Sequence, residues 1–394
     1  MYAYEPVAGR LLSASFPVVT GSAATGPAVF TYGYEPARPH LTKTVTAASH
    51  VVTNDWEPNR DVLDKKWNRY NTTVLSAYDY TVNAVGQRTE ERVPNAATAT
   101  WNWDYDALGQ VKSADSPTED FDQVYQYDDI GNRRKAVSGT LTLPGTDNYT
   151  ANALNQYTLI GSAVPSYDPV GNLINDAGTN WPSSPRTHVW DGENRLQQVK
   201  VTATNASVGS YRYDAFHRRV SKTTGTTNTL PALSRTHYWG LDLSGSMQGA
   251  GGVGGLLLTD FKTGTKDGVY FPLYDGKGNV TSYLDFNHTP VAAYRYDAFG
   301  KLIWGAYSHV ADFSIAFSTK YRDLETDFYY YGYRYYSAAL GRWIIFLPFH
   351  PPLGQSILAG AAAGYPTWEN DGPWITLPAQ SARMPLSGSR FRTA

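Results

Sequence analysis

The chain has 394 residues, a net charge of −2 and no cysteine. Its acidic and basic residues are interspersed, which gives no case for a nucleic-acid partner or an anionic membrane surface, and the lack of cysteine excludes disulfides and thiolate metal sites. Tyrosine is unusually frequent at 30 residues, accompanied by 11 Trp, 35 Gly and 23 Pro. Aromatic residues separated by turn-forming residues predict short β-strands joined by tight turns and argue against general disorder.

The N-terminal region, residues 1–60, contains a weakly repeated element. An aromatic residue followed by Glu and Pro occurs at Tyr4, Tyr34 and Trp56, so we interpret this region as degenerate repeats. No basic segment or apolar run follows Met1, so no signal peptide is predicted. Repeat arrays need capped ends and no cap is evident here, so we expect the chain to be the C-terminal portion of a longer shell.

A tyrosine–aspartate motif recurs through residues 61–310. Its clearest copies lie at residues 125–133 and 294–302, which both read Tyr-x-Tyr-Asp with Gly three residues after the Asp. Asn83 and Asn152 occupy the aspartate position in two degenerate copies. Apart from the two degenerate copies, the predicted turn residues are Asp106, Gly109, Asp128, Gly131, Asp168, Gly171, Asp191, Asp214, Asp275, Gly278, Asp297 and Gly300.

Each motif position has a mechanical reason. Tyr-x-Tyr places two aromatic rings on one face of a strand, because strand side chains alternate between faces. Asp opens a turn by accepting backbone N–H bonds, and Gly or Asn three residues later supplies the positive φ that closes a bulged hairpin. A single hairpin is barely stable, so the copies must stack. We therefore predict an all-β array of antiparallel hairpins, with the aspartates as turn formers rather than catalytic acids.

These motifs, together with the tyrosine-rich segment at residues 329–343, closely resemble the RHS repeat-associated core of bacterial YD-repeat proteins. The resemblance covers roughly residues 30–343, and its most specific part is the run from Arg334 to Trp343. It implies a spiral of antiparallel β-strands that forms part of a hollow, cocoon-like shell, which in the bacterial toxins holds a variable C-terminal effector. On this basis we expect a β-shell over residues 61–310, a core junction over 311–343 and a divergent or disordered, irregular tail over 344–394.

The resemblance breaks just after the junction. In self-cleaving members the junction arginine acts with aspartates of downstream Asp-Pro motifs, and Arg334 matches that arginine. Thirteen residues later the sequence reads Leu347-Pro348, and no Asp-Pro pair follows. Leucine can neither transfer a proton nor act as a nucleophile. We therefore predict a vestigial site without self-cleavage and no enzyme activity, with a tail that is a divergent linker, a degraded effector or an out-of-frame translation.

Other motifs carry little weight. Residues 249–254 satisfy the G-x-G-x-x-G pattern, but a short strand at 256–259 follows instead of the helix that a dinucleotide site needs. We predict a flexible loop between repeats there. The eight histidines show no metal-ligand spacing, so no metal or cofactor is predicted. The apolar stretch at residues 357–364 is too short to span a bilayer.

The sequence is compatible with three alternatives: two functional classes and a non-functional remnant. The first is a structural shell segment that joins an upstream repeat segment and encloses or displays a C-terminal effector, secreted or held at the cell surface as part of a larger protein. The second is an extracellular protein that binds carbohydrate or a cell surface through exposed Tyr and Trp rings, although no individual residue can be nominated. The third is a truncated or frameshifted, non-functional remnant.

Overall fold

A computed structural model describes residues 1–20, 23–93, 99–179, 184–224, 235–262 and 267–344. The regular structure of this part consists of β-strands and two three-residue 3-10 helices, Glu119–Phe121 and Phe317–Thr319. All strand pairs are antiparallel and no α-helix occurs in these ranges, so the predicted all-β hairpin fold is confirmed. Leu347 and residues 345–394 of the predicted tail lie outside the described residues.

The first sheet has twelve strands in chain order. They are β1 Tyr2–Tyr4, β2 Leu11–Thr20, β3 Ala23–Glu35, β4 Arg38–Ala47, β5 His50–Trp56, β6 Leu63–Tyr70, β7 Thr73–Val82, β8 Arg88–Arg92, β9 Thr100–Tyr105, β10 Val111–Asp115, β11 Gln123–Tyr127 and β12 Arg133–Ser138. A two-stranded sheet of β13 Tyr149–Ala151 and β14 Tyr157–Ile160 follows.

Two six-stranded sheets and a final four-stranded sheet complete the described part. The second large sheet contains β15 Ser166–Tyr167, β16 Leu173–Asn175, β17 Arg186–Trp190, β18 Leu196–Val201, β19 Ser207–Tyr213 and β20 Arg219–Thr224. The third contains β21 Arg235–Trp239, β22 Leu256–Phe261, β23 Gly268–Tyr274, β24 Val280–Leu284, β25 Pro290–Tyr296 and β26 Leu302–Ala306. The final sheet contains β27 Tyr321–Asp323, β28 Phe328–Tyr330, β29 Tyr335–Ser337 and β30 Arg342–Trp343.

Every sheet is a meander, because each strand pairs with the next one along the chain. In a meander, alternate turns fall on the same edge of the sheet. The motif turns connect β7 to β8, β9 to β10 and β11 to β12, so they form a line along one edge of the first sheet. A β-bulge lies next to each of these turns, because the strand after the turn carries one residue more than the strand before it. Arg134, for example, lies between Arg133 and Lys135, the partners of Tyr127 and Gln126.

The core forms where the faces of different sheets meet. Leu11, Phe16 and Phe30 of the first sheet pack against Leu258 and Phe271 of the third. The second sheet packs in the same way against the final sheet, through the buried residues Leu173, Leu196, Val199, Tyr211, Phe328, Tyr335, Leu340 and Ile344. The sheets therefore stabilise one another, as expected for hairpins that cannot bury an apolar face alone.

The glycine-rich loop at residues 249–254 connects β21 to β22 and is packed, which differs from the flexible loop predicted. One carboxylate oxygen of Asp242 accepts hydrogen bonds from the backbone N–H groups of Ala250 (2.7 Å) and Gly252 (3.0 Å). Val253 is buried against the fold. A strand, β22, follows the loop as predicted, and the structure thus contains no dinucleotide-binding strand–loop–helix at this position. Within the described ranges no helix is long and apolar enough to cross a membrane.

Candidate functional site

The predicted turn aspartates share one hydrogen-bond pattern, seen clearly at Asp128. Its Oδ1 accepts bonds from the backbone N–H groups of Ile130 (3.1 Å) and Asn132 (2.8 Å). Its carbonyl oxygen accepts a bond from Gly131 N–H, and its own N–H donates to the Asn132 carbonyl. The same carboxylate pattern occurs at Asp106, Asp168, Asp191, Asp214, Asp275 and Asp297.

The third residue after each aspartate is left-handed. Gly109, Gly131, Gly171, Gly278 and Gly300 have φ values of +80°, +90°, +95°, +77° and +91°. Glycine adopts this region without a steric penalty, whereas other residues meet a clash between Cβ and the following carbonyl. Two copies without glycine still hold the conformation, with Asn194 at φ 59° and His217 at φ 61°. The turn geometry therefore tolerates substitution at the glycine position.

The degenerate copies adopt the same turn. Asn83 Oδ1 accepts the N–H groups of Val85 and Gln87, and Asn152 does the same in its own turn. A further copy at Asp285 was missed by sequence reasoning: its carboxylate accepts bonds from Asn287 and Thr289 N–H, both at 2.9 Å. Leucine instead of tyrosine precedes this aspartate and no glycine follows it, so only the Asp itself could have signalled the turn.

The residue after the glycine position links neighbouring turns, a role that sequence reasoning also missed. Asn132 Nδ2 donates to Asp128 Oδ2 (2.8 Å) in its own turn and to Asn155 Oδ1 (3.3 Å) in the next. Asn172 likewise donates to Asp168 and, at 2.8 Å, to Asn194 of the following turn. The recurrence of Asn, Gln or Arg at this position was the available signal. We call the motif turns from residue 83 to residue 218 the turn row; side-chain amide bonds join the first turn to the second, the third to the fourth and the fifth to the sixth.

A second link joins consecutive hairpins. The last aromatic residue before most of the motif aspartates donates its ring O–H or N–H to a strand carbonyl earlier in the chain; Tyr167, before Asp168, makes no such bond to the described residues. The Tyr127 hydroxyl donates to the Val111 carbonyl at 2.8 Å, and Val111 lies five residues after Asp106, the aspartate of the preceding motif. The equivalent bonds are Tyr105 to Arg88, Trp190 to Leu173, Tyr213 to Leu196 and Tyr296 to Val280. We call these bonds the tyrosine rungs, Trp190 included.

The pKa values of two turn carboxylates, Asp191 and Asp297, shift in opposite directions. Burial raises the pKa of Asp191, but backbone N–H bonds and Arg195 bring that pKa below its ordinary value. Asp297 is different: burial raises its pKa, and Arg133 and two backbone N–H groups oppose the shift only partly. Among the described residues no group of three or more His, Asp or Glu side chains could hold a metal ion. That these acids serve only as turn formers remains a proposal.

Arg334, the predicted vestigial residue, lies buried in the final sheet, between β28 and β29. Its guanidinium stands over the Trp343 ring, with the central carbon 4.0 Å from the ring centroid. The Trp343 ring also contacts Tyr331 edge-on at 4.9 Å. Burial lowers the pKa of Arg334 to about 10, against the opposing effect of Tyr331. The structure thus joins the two ends of the most recognisable sequence segment, because Arg334 and Trp343 stack as a cation–π pair.

An ion network that sequence reasoning did not find joins the second sheet to the final sheet. Asp323 is fully buried, and its two carboxylate oxygens accept bonds from Arg219 (2.6 Å) and Lys222 (2.7 Å) of β20. Lys222 also pairs with Glu325 at 2.7 Å. Burial opposes the charged form of Lys222, but Asp323 and Glu325 raise its pKa above the ordinary value. We call Arg219, Lys222, Asp323 and Glu325 the β20 clamp.

Comparisons with known proteins place this fold. A scan against protein-family models gives no match. The chain is 28% identical over 267 residues to the tRNA nuclease WapA of Bacillus subtilis (strain 168), covering 64% of this chain and 11% of WapA. It is 25% identical over 389 residues to the toxin subunit YenC2 of Yersinia entomophaga, covering 87% of this chain and 37% of that subunit.

Solved structures agree on the fold. The crystal structure of TcdB2-TccC3-Cdc42 superposes with a TM-score of 0.66 at 20% identity, covering 87% of this chain and 19% of the other. The Photorhabdus luminescens Tc holotoxin pore gives 0.67 at 19% identity, covering 96% and 20%. The proteins that this chain resembles in sequence and in fold are RHS/YD-repeat proteins. The chain spans about a tenth of the WapA relative and about a third of YenC2.

Proposed function

We propose that this chain is a structural segment of a β-walled shell that encloses or displays a C-terminal effector. The observation that carries the proposal is the turn row. In this row the motif aspartates accept hydrogen bonds from backbone N–H groups, and the side-chain amides of Asn132 and Asn172 donate to neighbouring turns. The repeated residues therefore serve to hold the wall together. The tyrosine rungs support the same role, since each one ties a hairpin to the hairpin before it.

The proposal includes partners and location. The relatives are much longer than this chain, which supports association with an upstream repeat segment and with a C-terminal effector. Two of the similar proteins are named toxin subunits of Yersinia entomophaga, which supports a secreted or cell-surface location within a larger protein. One similar protein is named as a tRNA nuclease, and this chain covers only 11% of that protein. We propose no nuclease activity for the repeat region of this chain.

The proposal also includes the absence of self-cleavage. Arg334 is retained, while Leu347 stands where the resemblance expects an acid. A leucine side chain provides neither a proton nor a nucleophile, so the peptide bond near it should persist. The described part of the chain has Arg334 stacked on Trp343, which gives that arginine a packing role.

One experiment tests both parts of the proposal. The purified full chain is incubated and weighed by intact mass spectrometry, then digested with increasing amounts of trypsin. We expect one species at the full mass of 43.5 kDa before digestion. Digestion should then leave a resistant core that includes residues 61–343, because tryptic sites in paired strands are protected until the wall opens.

The outcomes are distinct. If the repeat region is digested as fast as residues 345–394, the shell proposal fails. A fragment ending near Leu347 before digestion would overturn the absence of self-cleavage, and the Arg334→Ala variant then identifies its origin. Loss of that fragment in Arg334→Ala assigns the cut to the junction, whereas its persistence assigns the cut to a contaminating protease and leaves the proposal standing.

Carbohydrate binding stays a hypothesis. The motif tyrosines Tyr125, Tyr211 and Tyr294 are only 3–4% exposed, so their rings are not available to stack on a sugar. Saturable binding on a glycan array would favour this alternative over a shell without ligands. The non-functional remnant also stays a hypothesis, and sequencing of the locus tests it: an intact Asp-Pro-x-Gly motif in another frame after Trp343 would support a frameshift.

A further inference from the structure

Two histidines meet where the first and third sheets touch, on the edge opposite the turn row. His50 begins β5 and is only 6% exposed. His288 holds the left-handed position of the Asp285 turn between β24 and β25, with φ 62°. Their ring centroids are 6.1 Å apart. Tyr70 stacks on His288 at 3.9 Å and Phe271 lies 6.0 Å from it, so four rings form one contact that we call the histidine seam.

The histidine seam offers little compensation for a positive charge. His50 Nε2 and His288 Nδ1 are both buried, and neither has a hydrogen-bond partner within the described part of the chain. The charged group that faces His288 is Asp285, on its own turn, while His50 faces His288 itself. Asp285 Oδ1 is already used by the N–H groups of Asn287 and Thr289. A protonated His50 ring would be buried beside His288, and the two rings would repel each other once both carry a proton.

Burial keeps the seam neutral near pH 7. It lowers the pKa of His50 to about 4, with a smaller contribution from His288. Burial also lowers the pKa of His288, against the opposing effect of Asp285. In the separated sheets both rings would titrate near the ordinary value of 6.5. The separated form consequently binds protons more readily than the closed form.

We propose that the histidine seam is a proton-sensitive contact that opens on acidification and frees the first sheet from the β24–β25 turn. A histidine with a depressed pKa contributes full stability to the closed form above about pH 6.5, and that contribution is lost as the pH falls towards 4. Each such histidine changes the opening equilibrium by up to tenfold per pH unit in this window. The inference holds whether or not the chain encloses an effector.

Hydrogen exchange tests the seam in the full chain. Amide protection is measured at pH 7, 6 and 5 and corrected for the intrinsic effect of pH on exchange. We expect protection at the start of β5, the end of β6 and residues 285–289 to fall by up to tenfold per pH unit for each histidine. The turn row at residues 106–132, which is distant from the seam along the first sheet, should change less. Equal loss of protection in both regions would overturn a local seam.

Two substitutions and a matched control make the test specific. His50→Phe keeps an aromatic ring at this position, and His288→Asn places there a residue that tolerates the left-handed conformation. Either substitution should reduce the acid-dependent loss of protection by up to tenfold per pH unit. His217→Asn is the control, since His217 has φ 61° in an equivalent turn but is exposed. The proposal is overturned if His50→Phe and His288→Asn retain the wild-type pH dependence, or if His217→Asn removes as much of it.

Discussion

At the scale of single residues, the motif aspartate acts through one oxygen atom. That oxygen accepts two backbone N–H bonds within five residues, and asparagine does the same at Asn83 and Asn152. A charge is therefore not required for the turn itself. In several copies the second carboxylate oxygen binds the side chain four residues later, as Asp128 binds Asn132. Asn152 makes an amide-to-amide version of that bond with Gln156.

Substitution at Asp128 should separate these contributions. Asp128→Ala leaves the N–H groups of Ile130 and Asn132 without their acceptor, and we expect a loss of about 1–3 kcal/mol in the free energy of unfolding. Asp128→Asn keeps the acceptor and should cost less than about 1 kcal/mol. Urea unfolding followed by tryptophan fluorescence measures both. Asp129→Ala, at an exposed neighbouring position, is the control and should change little.

The sequence was sufficient to predict a role for residues whose contacts lie within their own turn. An aspartate and a glycine three residues apart specify a turn through their own backbone, so identity and spacing were enough to predict hairpins. Asn132 and Tyr127 could not be assigned in this way, because their partners belong to adjacent repeats and their contacts depend on which hairpins lie side by side. The division of the chain at residues 60, 310 and 343 stays a prediction.

At the scale of elements, the β20 clamp holds two sheets together through charges that are taken out of water. Arg219 and Asp323 are 104 residues apart in sequence, with side chains 7% and 0% exposed. Such a pair has no sequence signature, since nothing near Asp323 indicates that β20 will cover it. The rings of Tyr330 and Tyr335 also contact the Arg219 guanidinium, so cation–π contacts add to the ion pairs.

Removal of the central acid should therefore be costly. Asp323→Asn leaves Arg219 buried without its carboxylate, and breaking a buried pair of this kind costs about 3–5 kcal/mol. Asp104→Asn is a matched control, because Asp104 and Lys112 form an exposed pair with side chains 59% and 54% accessible. We expect that change to stay below about 1 kcal/mol. Similar losses for the two variants, measured by chemical unfolding, would contradict a stabilising role for the clamp.

At the scale of the whole molecule, the meander makes the array close to one-dimensional along each sheet. Every strand pairs with its sequence neighbours, and each tyrosine rung joins one hairpin to the hairpin before it. In such arrays, stability is approximately a sum of repeat terms and nearest-neighbour terms. Contacts between sheets, such as the β20 clamp and the histidine seam, are the exceptions that tie distant repeats together.

Loss of a single rung should therefore have a local effect. Tyr127→Phe removes the hydroxyl that binds the Val111 carbonyl and should cost about 1 kcal/mol, with faster hydrogen exchange confined to β9–β12. Tyr296→Phe should act in the same way on β23–β26, and the double variant should show the sum of the two losses. Faster exchange spread over all sheets in either single variant would instead indicate one cooperative unit.

The regular spacing of the turn row has a consequence for how such a wall changes in size. One hairpin advances the sheet by two strand spacings, roughly 10 Å. Asp106 and Asp128 are 22 residues apart, so duplication of a gene segment encoding that length would insert one complete hairpin. The new hairpin would meet its neighbours through the same amide and tyrosine bonds as the old one. The wall can thus be lengthened in increments of one hairpin without redesign of the contacts on either side.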